Sequence, residues 1–210
     1  MSLAAPNHPE VAVDLLLARC TAWLTSLNEP GMAVFLEPLA AAPQLRSPQP
    51  NRLPVLGWLG ELEAGASELT RRLVADLFEA APRLKWDQTY DAADFSSRFL
   101  ERYGWTELAG LRGPFHSDEV AAGFLLLGPD TEYPAHRHQA EEIYVVLSGT
   151  AAWMRAGADA GALPPGAIIH HPSLMPHAVR TSRQPLLALY LWRGGDLVQK
   201  SEIDAVRAPA

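Results

Sequence analysis

A single cysteine, Cys20, stands in this 210-residue chain, so no intramolecular disulfide is available. A lone cysteine within an apolar periodic stretch reads as a small core residue. Nowhere do about 18 uncharged apolar residues run together, which excludes a helical membrane span. The leading stretch MSLAAPNHPEVAVDLLLARC has no basic residues ahead of its short apolar run and carries Glu10 and Asp14 within it. It does not read as a secretory signal, and the expected location is cytoplasmic. Positive charge is also scarce. With 17 Lys and Arg against 24 Asp and Glu, the net charge of −7 offers no broad positive field to nucleic acid or an anionic membrane. Hydrophobic residues make up 48% of the chain, enough for one medium or two small globular domains. Eighteen prolines and fifteen glycines predict many loops without marking a low-complexity chain.

Three helical segments precede a region of different character. From Pro9 to Leu27, Val11, Leu15, Leu16, Ala18, Cys20, Trp23 and Leu24 recur at three- and four-residue steps. Ser67 to Ala81 keeps the same period through Leu69, Leu73, Val74, Leu77 and Phe78, and Pro82 marks its stop. A third helix is expected over Ala92 to Tyr103, ending at Gly104. Between the first two, prolines at 30, 38, 43, 48, 50 and 54 predict an extended connection. After about Gly113 the chain turns to short runs rich in Val, Ile, Leu and aromatics: Val120 to Leu127, Glu132 to His136, Ile143 to Leu147, Thr150 to Arg155, Ala167 to His171, His177 to Thr181 and Pro185 to Trp192. Seven such strands predict an antiparallel sandwich or small barrel. The expected division is a helical region over 1–112 packing on a β-barrel over 113–210.

The chemistry concentrates in Tyr133-Pro-Ala-His136-Arg-His138-Gln-Ala-Glu141-Glu142-Ile-Tyr144. His136, His138, Glu142 and Tyr144 share parity, so on strands of period two their side chains point to one face. Two neutral imidazoles and a carboxylate suit a divalent ion such as iron, manganese, cobalt, nickel or zinc. His177 follows the Pro-bounded turn Pro172-Ser-Leu-Met-Pro176 and opens an alternating run, the place from which a second hairpin delivers a fourth ligand.

His136-x-His138-x3-Glu142-x6-Gly149 resembles the first cupin motif, and Gly166-x5-Pro172-x4-His177 resembles the second, sixteen residues later. The match departs from the usual pattern where seven residues rather than five separate Gly128 from His136, and where Leu174 and Thr181 stand for a glycine and an asparagine. The combination of Tyr133, Tyr144 and the downstream Pro-His177 with a helical N-terminal half is similar to the cupin-type dimethylsulfoniopropionate (DMSP) lyases. The stretches Phe95-Ser-Ser-Arg-Phe-Leu-Glu-Arg-Tyr-Gly-Trp and Leu189-Tyr-Leu-Trp-Arg-Gly-Gly-Asp resemble the DddL branch of that group.

The resemblance implies a mainly β fold with added helices, a single cupin (double-stranded β-helix or jelly-roll) barrel with an N-terminal helical extension. It implies one divalent metal ion on His136, His138, Glu142 and His177, DMSP as substrate, dimethyl sulfide and acrylate as products, and allows a homodimer. A tyrosine base is part of the same pattern. Tyr144 is the expected base, because a nearby cation lowers a phenol that otherwise titrates near 10, and Tyr133 is the competing candidate. Aromatic faces for the sulfonium are expected from Tyr190, Trp192 and Trp153. Two alternatives stay open: another cupin metalloenzyme, a dioxygenase or sugar isomerase, and a non-catalytic cupin that binds a small ligand. Glu141 reads as a solvated carboxylate, and His170 and His171 as structural residues or supports for the ligands. His8 and His116 have no constellation around them, and Trp23, Trp58, Trp86 and Trp105 read as core or helix-docking residues.

Overall fold

The structure, a computed structural model, describes residues 9–40, 44–62 and 67–204, with side chains from Val13 onward. His8 and Pro43 lie outside the described residues, as does the side chain of Val11. In chain order the elements are α1 (Pro9–Ser26), α2 (Ala33–Ala40), a 3-10 helix (Pro54–Glu61), α3 (Glu68–Ala80), a 3-10 turn (Ala81–Arg83), β1 (Trp86–Asp87), α4 (Ser97–Leu100), β2 (Tyr103–Gly110), β3 (Phe115–His116), β4 (Val120–Leu127), β5 (Glu132–Arg137), β6 (Glu141–Ser148), β7 (Ala151–Arg155), β8 (Ala158–Leu163), β9 (Ile168–His171), β10 (His177–Thr181), β11 (Leu186–Arg193) and β12 (Glu202–Ile203).

The strands form two facing sheets rather than one continuously paired barrel. A seven-stranded sheet runs β1-β2-β4-β11-β6-β9 with β3 added to β2, and a five-stranded sheet runs β12-β5-β10-β7-β8. The larger sheet is covered on both faces, because alternate side chains feed two separate cores. Outward, Phe124, Leu126, Ile143, Val145, Leu147, Leu187, Leu189 and Leu191 pack with Leu16, Phe35, Leu73 and Leu77 of the helices. Inward, Leu125, Leu127, Tyr144, Val146, Ala188 and Tyr190 meet Trp153 and Val179 of the smaller sheet. The architecture is therefore three layers, helices on sheet on sheet.

The first two expected helices form, the second from a capping box in which Ser67 and Thr70 bond each other's backbone N–H. Arg19 of α1 pairs with Asp76 of α3, and Cys20 is buried between them and the sheet. The proline-rich connection is more ordered than its composition predicts. It holds α2, which keeps Pro38 inside it by burying Phe35, Leu36 and Leu39, and the 3-10 helix, which Pro54 starts with its fixed φ.

The third expected helix is a correction. Only Ser97–Leu100 is helical. Ahead of it Asp91 closes a turn by accepting from the Ala93 and Asp94 N–H groups, an alternative to helix that short acidic side chains favour. Beyond it Tyr103 opens β2, which pairs with β4 along its length. This strand lies on the helical side of the 112/113 division, and every residue of it is buried, so it lacks the alternation that marks a half-exposed strand. β8, of small and largely exposed residues, also carries no such signal.

Gly149, which ends the first motif, sits at φ +80°, and a Cβ there would lie 2.0 Å from the Pro185 carbonyl oxygen. Only glycine lets the chain turn out of β6 this close to the start of β11.

Candidate metal centre

Both sheets contribute to one interior site. His136 on β5 and His177 on β10 are cross-strand partners in the smaller sheet, His138 lies in the turn after β5, and Glu142 comes from β6 in the larger sheet. All four are buried, Glu142 completely. The Glu142 Oε2 atom is 3.1 Å from His177 Nε2 and 3.3 Å from His138 Nε2, and the rings of His136 and His177 are 4.1 Å apart.

Backbone carbonyls set the tautomers. His136 Nδ1 donates to Pro134 O at 2.8 Å, His138 Nδ1 to Ala140 O at 2.9 Å and His177 Nδ1 to Met175 O at 2.9 Å. A carbonyl only accepts, so the proton of each neutral ring is on Nδ1 and Nε2 presents a lone pair. The Nε2 atoms of His138 and His177 are buried without a hydrogen-bond partner. The Nε2 lone pairs of His138 and His177 both face the Glu142 Oε2 atom, an arrangement that is repulsive until a cation is placed between them. His136, His138 and His177 offer ligand atoms within 4.8 Å of one another, and so do Glu142, His171 and His177. This donor set fits a borderline divalent metal ion.

Burial, then the adjacent His177, holds His136 well below the ordinary histidine range, which keeps its lone pair free. Burial alone would raise the Glu142 carboxyl, but positive charge among its imidazole neighbours, His138 foremost, holds it well below the usual carboxylate range, and a bound cation supplies that charge when the rings are neutral. Trp192 donates its indole N–H to Glu142 Oε1 at 2.6 Å and lies 4.1 Å from the His138 ring, so it orients two of these groups at once.

The site forms one end of a cavity lined by Tyr133, His136, Glu142, Tyr144, Tyr190 and Trp192. Tyr144 and Tyr190 are register partners on β6 and β11 and share the face of Glu142. Tyr133 has the wrong parity for this face on a regular strand, and a bulge corrects it. Opposite His177 and Val179 on β10 stand His136 and Tyr133 on β5, so Pro134 and Ala135 together oppose Ala178. The Tyr133 ring stacks on His136 at 3.9 Å and 11°, and its hydroxyl is 3.2 Å from that of Tyr90. Trp153 lies behind Tyr144 at 5.2 Å, outside the cavity lining. Burial pushes Tyr133, Tyr144 and Tyr190 well above the usual tyrosine range, and for Tyr144 the Glu142 carboxylate adds to it.

Sequence reading missed part of the wall. Thr89, Tyr103, Trp105 and Arg112 line the cavity from a stretch read as helix and loop. Arg112 lies over the Trp105 ring at 4.5 Å, 3.5 Å from the buried Glu107 carboxylate. Tyr103 and Trp105 belong to β2, which no alternation announced, and Thr89 and Arg112 lie in the segments on either side of it. Glu141 is half-buried and engages His170 at 2.8 Å on the outer side, away from the donor set.

A family model described as dimethylsulfoniopropionate lyase matches residues 31–188. The chain belongs to the dimethylsulfoniopropionate lyase family. It is accordingly a carbon–sulfur lyase with a cupin fold, and the match begins far ahead of Phe95, where the quoted stretches of resemblance start. DMSP lyase DddQ of Ruegeria pomeroyi is 36% identical over 171 residues, covering 80% of this chain and 83% of that protein. Putative DMSP lyase DddL of Cereibacter sphaeroides is 30% identical over 159 residues, covering 74% of this chain and 66% of its own. The solved structure of DddQ from Ruegeria pomeroyi superimposes with a TM-score of 0.83 at 31% identity, over 94% of this chain and 98% of that one. The DddL-like texture of the sequence thus accompanies an overall likeness to DddQ.

Proposed function

We propose that the cavity cleaves DMSP to dimethyl sulfide and acrylate by base-initiated β-elimination, with His136, His138, Glu142 and His177 as the ligands of one divalent ion. The observation that carries this reading is the convergence of carbonyl-anchored imidazole lone pairs and a buried carboxylate at the end of a cavity that Tyr144 also lines. Bound there, iron, manganese, cobalt, nickel or zinc supplies Lewis acidity toward the substrate carboxylate and the enolate-like charge that develops next to it.

The remaining work falls to side chains. Tyr144 takes the proton alpha to the carboxylate; the electron pair of that C–H bond forms the new double bond, and the Cβ–S bond breaks with its pair going to sulfur. A cationic sulfonium thereby leaves as a neutral sulfide. Tyr133, held by the His136 stack and the Tyr90 hydroxyl, positions the substrate against Tyr144. Tyr190 and Trp192 offer ring faces to the sulfonium, each contact worth about 0.5–2 kcal/mol. Trp153 backs the Tyr144 ring. The 112/113 division is one of labour: all four ligands follow it, and Tyr103, Trp105 and Arg112 reach the wall from before it.

Headspace gas chromatography of purified, metal-reconstituted protein mixed with DMSP tests the reading. Dimethyl sulfide is expected with metal, equally without oxygen, and absent after chelation. No sulfide from any metal-loaded sample turns the assignment toward the other cupin enzymes or a binding protein, and a requirement for oxygen favours a dioxygenase.

A further inference from the structure

One buried histidine of the interior is used by neither the fold nor the proposed reaction. His171 closes β9, whose register sets it directly opposite Glu142 on β6. Its ring therefore enters the same interior, while the ring of its neighbour His170 meets Glu141 on the outer side. His171 is 1% exposed and lies parallel to His177 at 4.0 Å and 11°. Its Nδ1 is 3.4 Å from Glu142 Oε2, and its Nε2 is buried with no hydrogen-bond partner.

His171 differs from the other three imidazoles in how it is anchored. His136, His138 and His177 each use Nδ1 on a backbone carbonyl two residues away, whereas the Nδ1 of His171 faces a carboxylate. No protonation state satisfies the ring in its present surroundings. With the proton on Nδ1, a desolvated Nε2 lone pair lacks a donor; with it on Nε2, an N–H lacks an acceptor and a lone pair faces an anion. Protonating both nitrogens still leaves the Nε2 N–H without an acceptor. A cation shared by the Glu142 oxygen and His171 Nδ1 turns the lone pair facing the anion from repulsive to binding, and only the Nε2 N–H is left without an acceptor.

We infer that His171 is itself a ligand of the metal ion, the fifth protein donor. With Glu142 and His177 it forms a triad whose donor atoms lie within 4.8 Å of one another, and His177 joins this triad to the one made with His136 and His138. The inference rests on the metal reading of the cavity and deepens it. Four imidazoles and one carboxylate shift the preference toward nitrogen-seeking ions such as zinc, iron or nickel and away from magnesium or calcium. Five protein donors would leave such an ion little room beyond one substrate carboxylate oxygen.

Cadmium provides a readout independent of turnover. The full chain, labelled with ¹⁵N-histidine and loaded with ¹¹³Cd, is expected to show one-bond cadmium–nitrogen couplings to four imidazoles. In His171→Gln one coupling disappears, which assigns it, and chelator competition gives a cadmium dissociation constant at least about tenfold higher. His170→Gln, on the outer side, keeps all four. Couplings to His136, His138 and His177 with none to His171 overturn the inference alone, and no coupling to any imidazole overturns the metal reading with it. The wild-type count decides the matter even if His171→Gln does not fold.

Discussion

The seven-stranded sheet has two faces of opposite chemistry drawn from the same strands. Outward, Ile143, Val145 and Leu147 of β6 lie with Leu187, Leu189 and Leu191 of β11 under the helices. Inward, Glu142 and Tyr144 of β6 lie with Tyr190 and Trp192 of β11 along the cavity. The outer face is held by area removed from water, which is non-directional and roughly additive. The inner face is held by particular donors and acceptors, each meaningful only while its partner stays in place. Because the strand period is two, stability and chemistry alternate residue by residue along β6, and substitutions one position apart should fail in different ways.

The hardest break of this comparison is on the inner side. His177→Ala removes the imidazole common to both donor triads, so metal retained after desalting, measured by mass spectrometry, should fall to background and dimethyl sulfide production with it. Tyr144→Phe should keep metal content and melting temperature and reduce kcat by about 10²–10⁴-fold, the range for losing a general base. Ile143→Ala, one residue away on the outer face, should do the reverse: urea denaturation should show about 2–5 kcal/mol of lost stability, with turnover per folded molecule and metal stoichiometry unchanged. Trp192→Phe keeps the ring but removes the N–H that Glu142 Oε1 accepts, and competition with a chelator should reveal about 10–100-fold weaker metal binding. Phe78→Ser sharpens the contrast from the far side of the helical layer. That ring is 55% exposed, so the change in unfolding free energy should stay within about 0.5 kcal/mol.

How much of this was legible in the sequence depended on whether local pattern and tertiary environment agreed. The four proposed ligands and Tyr144 could be singled out because period two and the ligand spacing both operate within a dozen residues, apart from His177. Tyr133 was legible as a residue type but not as a direction, since its inward turn comes from a bulge paired against β10. β2 escaped because both its faces are covered, and the expected helix over 92–103 gave way to aromatic stacking of Phe95, Phe99 and Tyr103 at 4.2 and 5.0 Å. α2 was hidden by Pro38, whose cost in a helix, about 3 kcal/mol, is offset by three buried apolar side chains. His171 carried no spacing that marks a ligand. Its role emerges only from the pairing of β9 with β6.

The position of Cys20 bears on what the enzyme releases. Acrylate is an electrophilic alkene, and thiolates add to its β-carbon. The chain's one thiol is 3% exposed among the aliphatic side chains under the helices, and burial raises it far above the ordinary cysteine range, with Asp76 adding to the effect. It stays protonated and out of reach. A catalyst that generates a Michael acceptor at every turnover thus presents no nucleophilic sulfur to it, and self-alkylation is closed off by where the helical layer keeps its cysteine.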